Sequence, residues 1–353
     1  MLENLYLEMA RRGLRMPIGA DLVLHESSDP EACKYDAKLL GGVVEAAARR
    51  YRTPFAFPLM DLTLEKLDLL HFLGVPDAQV GLFHFSEAPS LKVVSEVVAA
   101  SRRPFPLRIE ANQNAVRYIA EGTDLLPVGM LIGPFSLMTK LVADPIAPVA
   151  MAGRGVTAEE EPSVGVVERC LALAEATVQR SAEAQIAAGA RAMIVCEPAA
   201  NIVYLSPRQL RAGSDILERF VLGPNRRLRS LLARHAVDLI FHDCGELTTD
   251  MVRQFALQLR PAVLSLGSSR KLWEDADVVP EEVVLFGNLP TKAFYSDATM
   301  PIEEVRRLTI ETVQRMAAYG HAHILGSECD VLHVPDAAET IRRKVDAMLT
   351  CEC

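Results

Sequence analysis

No apolar run among the 353 residues reaches about 18, so no transmembrane helix is expected. The first 16 residues, MLENLYLEMARRGLRM, carry acidic side chains and lack the apolar stretch of a signal peptide. Aromatic residues make up 6%, the net charge is −9, and no basic stripe or aromatic-rich basic segment occurs, which argues against nucleic acid as a partner. There is no repeat of solenoid period and no low-complexity segment. Seven cysteines are too few in a chain of this length for a small disulfide scaffold. In a cytoplasmic protein, the location expected here, a cysteine beside a histidine points to metal binding or catalysis.

Hydrophobic residues make up 50% and charged residues 24%, enough for a sizeable core. Strand-like runs fall at 17–25, 55–60, 128–132, 192–196, 237–241, 262–266, 283–286 and 322–325, eight in all. Helical patterns at 3–13, 36–50, 163–188, 206–235, 248–259, 301–319 and 335–349 separate most of them. A further strand-like run covers 79–85, and Pro104 and Pro106 suggest a small hairpin within an excursion at about 85–127. Eight β-α units predict a single (β/α)8 barrel domain over 1–353, preceded by a short helical segment. A doubly wound open sheet would carry a Gly-x-Gly-x-x-Gly turn after its first strand, and none is present.

In this barrel class, chemistry sits at the C-terminal ends of the strands. The residues there include Asp61, Ser136, Glu197, His242, Cys244, Asn288 and Cys329. His242 and Cys244 alternate along one strand and share a face, giving two corners of a tetrahedral zinc site. Cys329 lies 85 residues further on, but strands five and eight of a closed barrel face each other across a narrow mouth, so it supplies the third soft ligand. Glu197, at the end of strand four, is the expected fourth group, a labile ligand or proton acceptor. Asp243 and Glu246 read as supporting groups or as helix N-terminal acids. Three N/S ligands with a replaceable fourth describe a catalytic zinc, and thiolate activation for alkyl transfer to sulfur is the chemistry it favours.

The stretches FPLMDLTLEKLDLLHFLGV, GPFSLMTKL, GARAMIVCEPAANIVYLSP, FHDCGELTTDM, VVLFGNLPTKAF and HILGSECDVLHVPDAAETI, between about residues 54 and 349, resemble the uroporphyrinogen decarboxylase superfamily. Within it they are similar to the corrinoid-dependent methyltransferases. That resemblance implies a (β/α)8 barrel in which His242, Cys244 and Cys329 hold zinc. It also implies a methyl group moved between methylcobalamin on a separate corrinoid protein and a small acceptor or donor such as a thiol. Glu197 and Asp61 are then the candidate catalytic residues, and Asn288 and Ser136 the candidate substrate contacts. No Asp-x-His-x-x-Gly cobalamin signature occurs, so the corrinoid belongs to a partner or is free. The alternative is a cofactor-free decarboxylase using Asp61. Its family motif of N-terminal arginines is missing, because PIGADLVLHESSDPE contains no Arg.

Overall fold

In the computed structural model, which describes residues 3–100 and 102–352, eight strands alternate with helices. They are β1 Arg15–Ile18, β2 Phe55–Ala56, β3 Leu126–Ile132, β4 Ala192–Cys196, β5 Asp238–Asp243, β6 Val263–Leu266, β7 Val284–Phe286 and β8 His323–Asp330. They hydrogen-bond in the order β1-β8-β7-β6-β5-β4-β3-β2, and each pair is parallel. Among the described residues no ladder joins β1 to β2. The strands nevertheless surround one interior, where Ile18, Phe55, Met130, Ile194, Ile240, Val263, Phe286 and Ile324 pack together with Tyr6. This is the (β/α)8 barrel that the strand count predicts.

Alternation along each strand divides the chain's apolar residues between two layers. Ile194 and Ile240 face the interior, while their neighbours Val195 and Phe241 face outward into the layer beneath the helices. There Phe241 meets Phe255 with ring centroids 5.0 Å apart. Each such fully buried side chain contributes roughly 1.5–3 kcal/mol. The helix Ala37–Arg50 begins where Asp36 accepts from Lys38 N and Leu39 N, both at 2.9 Å, and ends in Arg49 and Arg50, the charge its C-terminus favours.

Several local expectations are corrected. The first strand stops at Ile18 rather than running to 25. Gly19 turns the chain with φ 88°, and Leu22, Val23 and Leu24 are buried in the single helical turn Asp21–Leu24. The second strand shrinks to Phe55–Ala56, ahead of Pro58, which has no N–H for a ladder. The 79–85 run is not a strand; the helix Asp77–Val80 covers its start. Among the described residues no hairpin forms around Pro104 and Pro106. That segment links the helices Leu91–Ala99 and Leu107–Gly122. It is pinned by Asp68, which pairs with Arg103 at 2.8 Å and Arg180 at 2.7 Å, and by the Arg180 guanidinium over the Phe105 ring. The last strand extends to Asp330, so Cys329 lies within it. Among the described residues no helix is long and apolar enough to cross a membrane.

Candidate metal centre

The three soft donors named from the sequence meet at the C-terminal mouth of the barrel. Donor atoms of His242, Cys244 and Cys329 all lie within 4.8 Å of one another. The two sulfur atoms are 3.7 Å apart. His242 is 1% exposed, whereas Cys244 and Cys329 are part-buried, so the group opens toward the mouth and is closed below. His242 Nδ1 bonds Ser265 Oγ at 2.8 Å, and its Nε2 is a buried atom with no hydrogen-bond partner among the described residues. Leaving such a nitrogen unpaired is costly. An orphaned imidazole nitrogen beside two thiols fits a zinc-type ion, which takes N and S donors.

Charge at the site follows from the same geometry. The Cys244 thiol is pushed up to about 12, first because it shares a hydrogen bond with Cys329 and then by burial. The Cys329 thiol is held below its ordinary value, mainly by that bond and also by the nearby Lys292 ammonium. Partial burial works against the charge of Lys292, but the nearby Cys244, Glu328 and Cys329 outweigh it and keep the ammonium above its usual range.

Glu197 does not join this group. Cys196 points inward, in register with His242, so the next side chain points out of the barrel. The Glu197 carboxylate is fully buried there. It accepts from Phe135 N at 3.2 Å, Ser136 N at 2.8 Å and Asn225 Nδ2 at 2.7 Å. Burial, only partly offset by these bonds, raises its pKa. Gly133 makes the fit possible, since a Cβ at that position would stand 2.0 Å from Glu197 Cδ. The expectation of a fourth ligand from strand four is therefore corrected: the carboxylate docks a helix N-terminus.

The remaining candidates divide in the same way. Ser136 is 2% exposed; its Oγ accepts from Ala199 N at 3.0 Å. Asn288 commits its amide protons to Gly267 O at 2.7 Å and Arg270 O at 2.8 Å, tying together the loops after β6 and β7. Asp61 stands at the mouth beside Met60, whose sulfur is 3.8 Å from Cys329 Sγ, but its carboxylate pairs with Arg108 at 2.9 Å and accepts from Thr63. Asp243 faces away from the interior, accepts from Gly245 N at 2.8 Å, and is raised well above the carboxylate range by burial.

Ser265, Glu328, Lys292 and Met60 were missed. Glu328, 5% exposed, accepts from Ser268 Oγ at 2.6 Å and from Lys292 N at 3.4 Å, so it binds two mouth loops to β8. Ser265 offered one signal, a small polar residue inside an otherwise apolar strand.

The family model described as uroporphyrinogen decarboxylase (URO-D) matches residues 88–349, more than half of the chain. The chain belongs to the uroporphyrinogen decarboxylase family. No curated protein matches it. Among solved structures, this family member is similar to a methyltransferase from Methanosarcina mazei, with a TM-score of 0.64 and 15% identity over 98% of each chain. At that identity the likeness establishes the shared fold. A 3-keto-D-glucoside 4-epimerase from E. coli aligns over 68% of this chain and 94% of its own at 14% identity, with a TM-score of 0.34, too low to bear on the argument.

Proposed function

We propose that this uroporphyrinogen decarboxylase family member is a zinc-dependent methyltransferase. In this reading His242, Cys244 and Cys329 hold the metal, and a methyl group moves between a corrinoid carried on a partner protein and a small thiol. The observation that carries the reading is the convergence of the three donors with His242 Nε2 left unpartnered. Likeness in fold to a protein named a methyltransferase supports it.

A bound zinc ion would supply the positive charge that keeps an incoming thiol deprotonated, and so nucleophilic, at neutral pH. The protein's own groups prepare for it. Ser265 Oγ, 2.8 Å from His242 Nδ1, can accept its proton, the tautomer that would turn the Nε2 lone pair toward the thiols. The hydrophobic interior beneath closes the site on one side and leaves the mouth as the approach. A partner carrying the corrinoid would dock there, where exposed Val203, Tyr295 and Leu332 stand on the loops after β4, β7 and β8. A methylated corrinoid on that partner would supply an electrophilic methyl group and keep the electron pair of the bond it gives up, and the thiol held beside His242, Cys244 and Cys329 would supply the sulfur lone pair that takes the methyl group.

The test is metal analysis of purified protein together with demethylation of free methylcobalamin by 2-mercaptoethanol, followed by absorbance. One zinc per chain is expected. Cys244→Ser should lower its content well below stoichiometric, and transfer should fall by at least about 100-fold, a thiolate ligand being lost. A protein without zinc, or transfer indifferent to Cys244→Ser, would sink the reading. A decarboxylase acting through Asp61 gives the opposite pattern: loss of activity in Asp61→Asn and indifference to Cys244→Ser. The engagement of Asp61 with Arg108 and Thr63 does not favour it.

A further inference from the structure

We propose that Met60 is the replaceable fourth ligand of the metal centre, a thioether that an incoming thiol displaces. This rests on the metal-centre reading above.

Tetrahedral bonds of about 2.3 Å from a zinc-type ion to sulfur set the ligand sulfurs about 3.8 Å apart. Cys244 Sγ stands 3.7 Å from Cys329 Sγ, and Met60 Sδ stands 3.8 Å from that same Cys329 Sγ. Two edges of one such tetrahedron are therefore laid out, with Cys329 at the shared corner. His242, whose Nε2 has no hydrogen-bond partner among the described residues, offers another corner beside the two cysteines. The carboxylates closest in sequence to these sulfurs are committed elsewhere. Asp61 pairs with Arg108 at 2.9 Å, and Glu328 accepts from Ser268 Oγ at 2.6 Å. Glu197 accepts from Phe135 N, Ser136 N and Asn225 on the far side of β4. A thioether belongs with thiolate among the soft donors that suit zinc.

The fold fixes the backbone here and leaves the sulfur free to move. Met60 follows β2, is part-buried and packs against the interior cluster. The next residue, Asp61, is held by Arg108 and also accepts from Thr63 N at 3.1 Å. A methionine side chain is unbranched and has three rotatable bonds, so the sulfur can swing aside while the backbone stays in place. The thioether is also neutral. Two thiolates, a neutral imidazole and a thioether leave a divalent ion with no net charge, and an incoming thiol has no carboxylate to dislodge. In the exchange the bond from the metal to Met60 breaks, a bond to the thiolate forms, and the thiol proton leaves to solvent. One sulfur replaces another, so the number of sulfur ligands stays the same.

The experiment is X-ray absorption at the zinc edge on the full-length, zinc-loaded protein, with and without 2-mercaptoethanol. The unaltered protein should show three sulfurs and one nitrogen around the metal, and still three sulfurs after the thiol is added. Met60→Leu, which conserves volume, should keep its zinc, show two sulfurs, and gain the third only with the thiol. Should that variant fail to fold, the unaltered protein decides by magnetic resonance, with methyl-labelled methionine and a cadmium isotope of spin one-half in place of zinc. One methionine methyl signal should then be split by cadmium and lose the splitting when 2-mercaptoethanol is added; no split signal would overturn the proposal. Two sulfurs in the unaltered protein would remove the Met60 role alone and leave the metal-centre reading standing. Three sulfurs in Met60→Leu without thiol, or loss of its zinc, would overturn the role too, the first because the sulfur comes from elsewhere and the second because the ligand is not replaceable. Fewer than two sulfurs, or no bound zinc, in the unaltered protein would end the metal-centre reading and this one with it.

Discussion

Glu197 sits one residue beyond Cys196, and that single step decides its role. Its carboxylate is the acceptor for Phe135 N, Ser136 N and the Asn225 amide in a fully buried place. Glu197→Ala would leave those donors unpaired, at about 1–3 kcal/mol for each group left unsatisfied. The expected outcome is a loss of at least about 3 kcal/mol in urea denaturation with zinc content unchanged; loss of zinc at intact stability would return Glu197 to the metal. The alternation that places His242 and Cys244 on one face, legible from the sequence, is the same rule that turns Glu197 outward once Cys196 is known to face inward. Ser265 was not legible, because its value lies in being level with His242 on the neighbouring strand. Pattern within one strand carries no information about register between two. Glu328 was hidden for a related reason: it accepts from Ser268 Oγ and Lys292 N, on the loops after β6 and β7, which only the folded sheet brings beside β8.

At the scale of elements, runs with clear period and sharp ends were readable. The helices Ile302–Tyr319 and Pro162–Ala187 and the strands β4 and β6 fall within about two residues of the pattern-based bounds. Short apolar runs were not readable, since three buried residues in a row, as at Leu22 to Leu24, satisfy a strand and a helical turn equally. Element packing also creates a titrating group. Glu65, on the helix Leu64–Phe72, is 2% exposed and accepts from Ser181 Oγ at 2.9 Å on the helix Pro162–Ala187. Burial raises it from its ordinary 4.5 to about 7. The folded state thus holds this proton more tightly than the unfolded one. Its contribution to stability is full below about pH 4.5, falls as pH rises toward 7, and is lost above. Glu65→Gln keeps an acceptor for Ser181 without the charge. At pH 8 the variant should be more stable than the parent by on the order of 2–3 kcal/mol, and at pH 4 about equal. Urea midpoints at the two pH values decide it, and an equal difference at both would show that ionisation of Glu65 is not the cause.

For the molecule as a whole, the sequence led to the right architecture because eight strand-like runs at barrel spacing leave few alternatives. The β1–β2 seam was not foreseeable, since it depends on how short β2 turns out to be. The barrel explains how residues 85 apart in sequence come to share one ion, and it makes that ion a brace between distant parts of the chain. Cys329 lies on β8, whereas His242 lies near the end of β5 and is tied to β6 through Ser265, so an ion bound by all three crosses the mouth and resists separation of these strands. Because the unfolded chain has no preformed site, the ion's binding energy adds to stability as RT ln(1 + [Zn]/Kd), about 4 kcal/mol at a thousand-fold excess over Kd. Thermal unfolding of the zinc-loaded protein should therefore shift downward by several degrees when a strong chelator is added, and free zinc should restore it. Cys329→Ser should already melt near the chelated value and respond weakly to both treatments, because only His242 and Cys244, at the end of one strand, remain as donors. The Glu197→Ala protein, by contrast, should start lower yet keep the full chelator shift. A melting temperature indifferent to chelator in the unaltered chain would mean that the donors meet without holding an ion, and would leave the two thiols and the imidazole as parts of an ordinary barrel core.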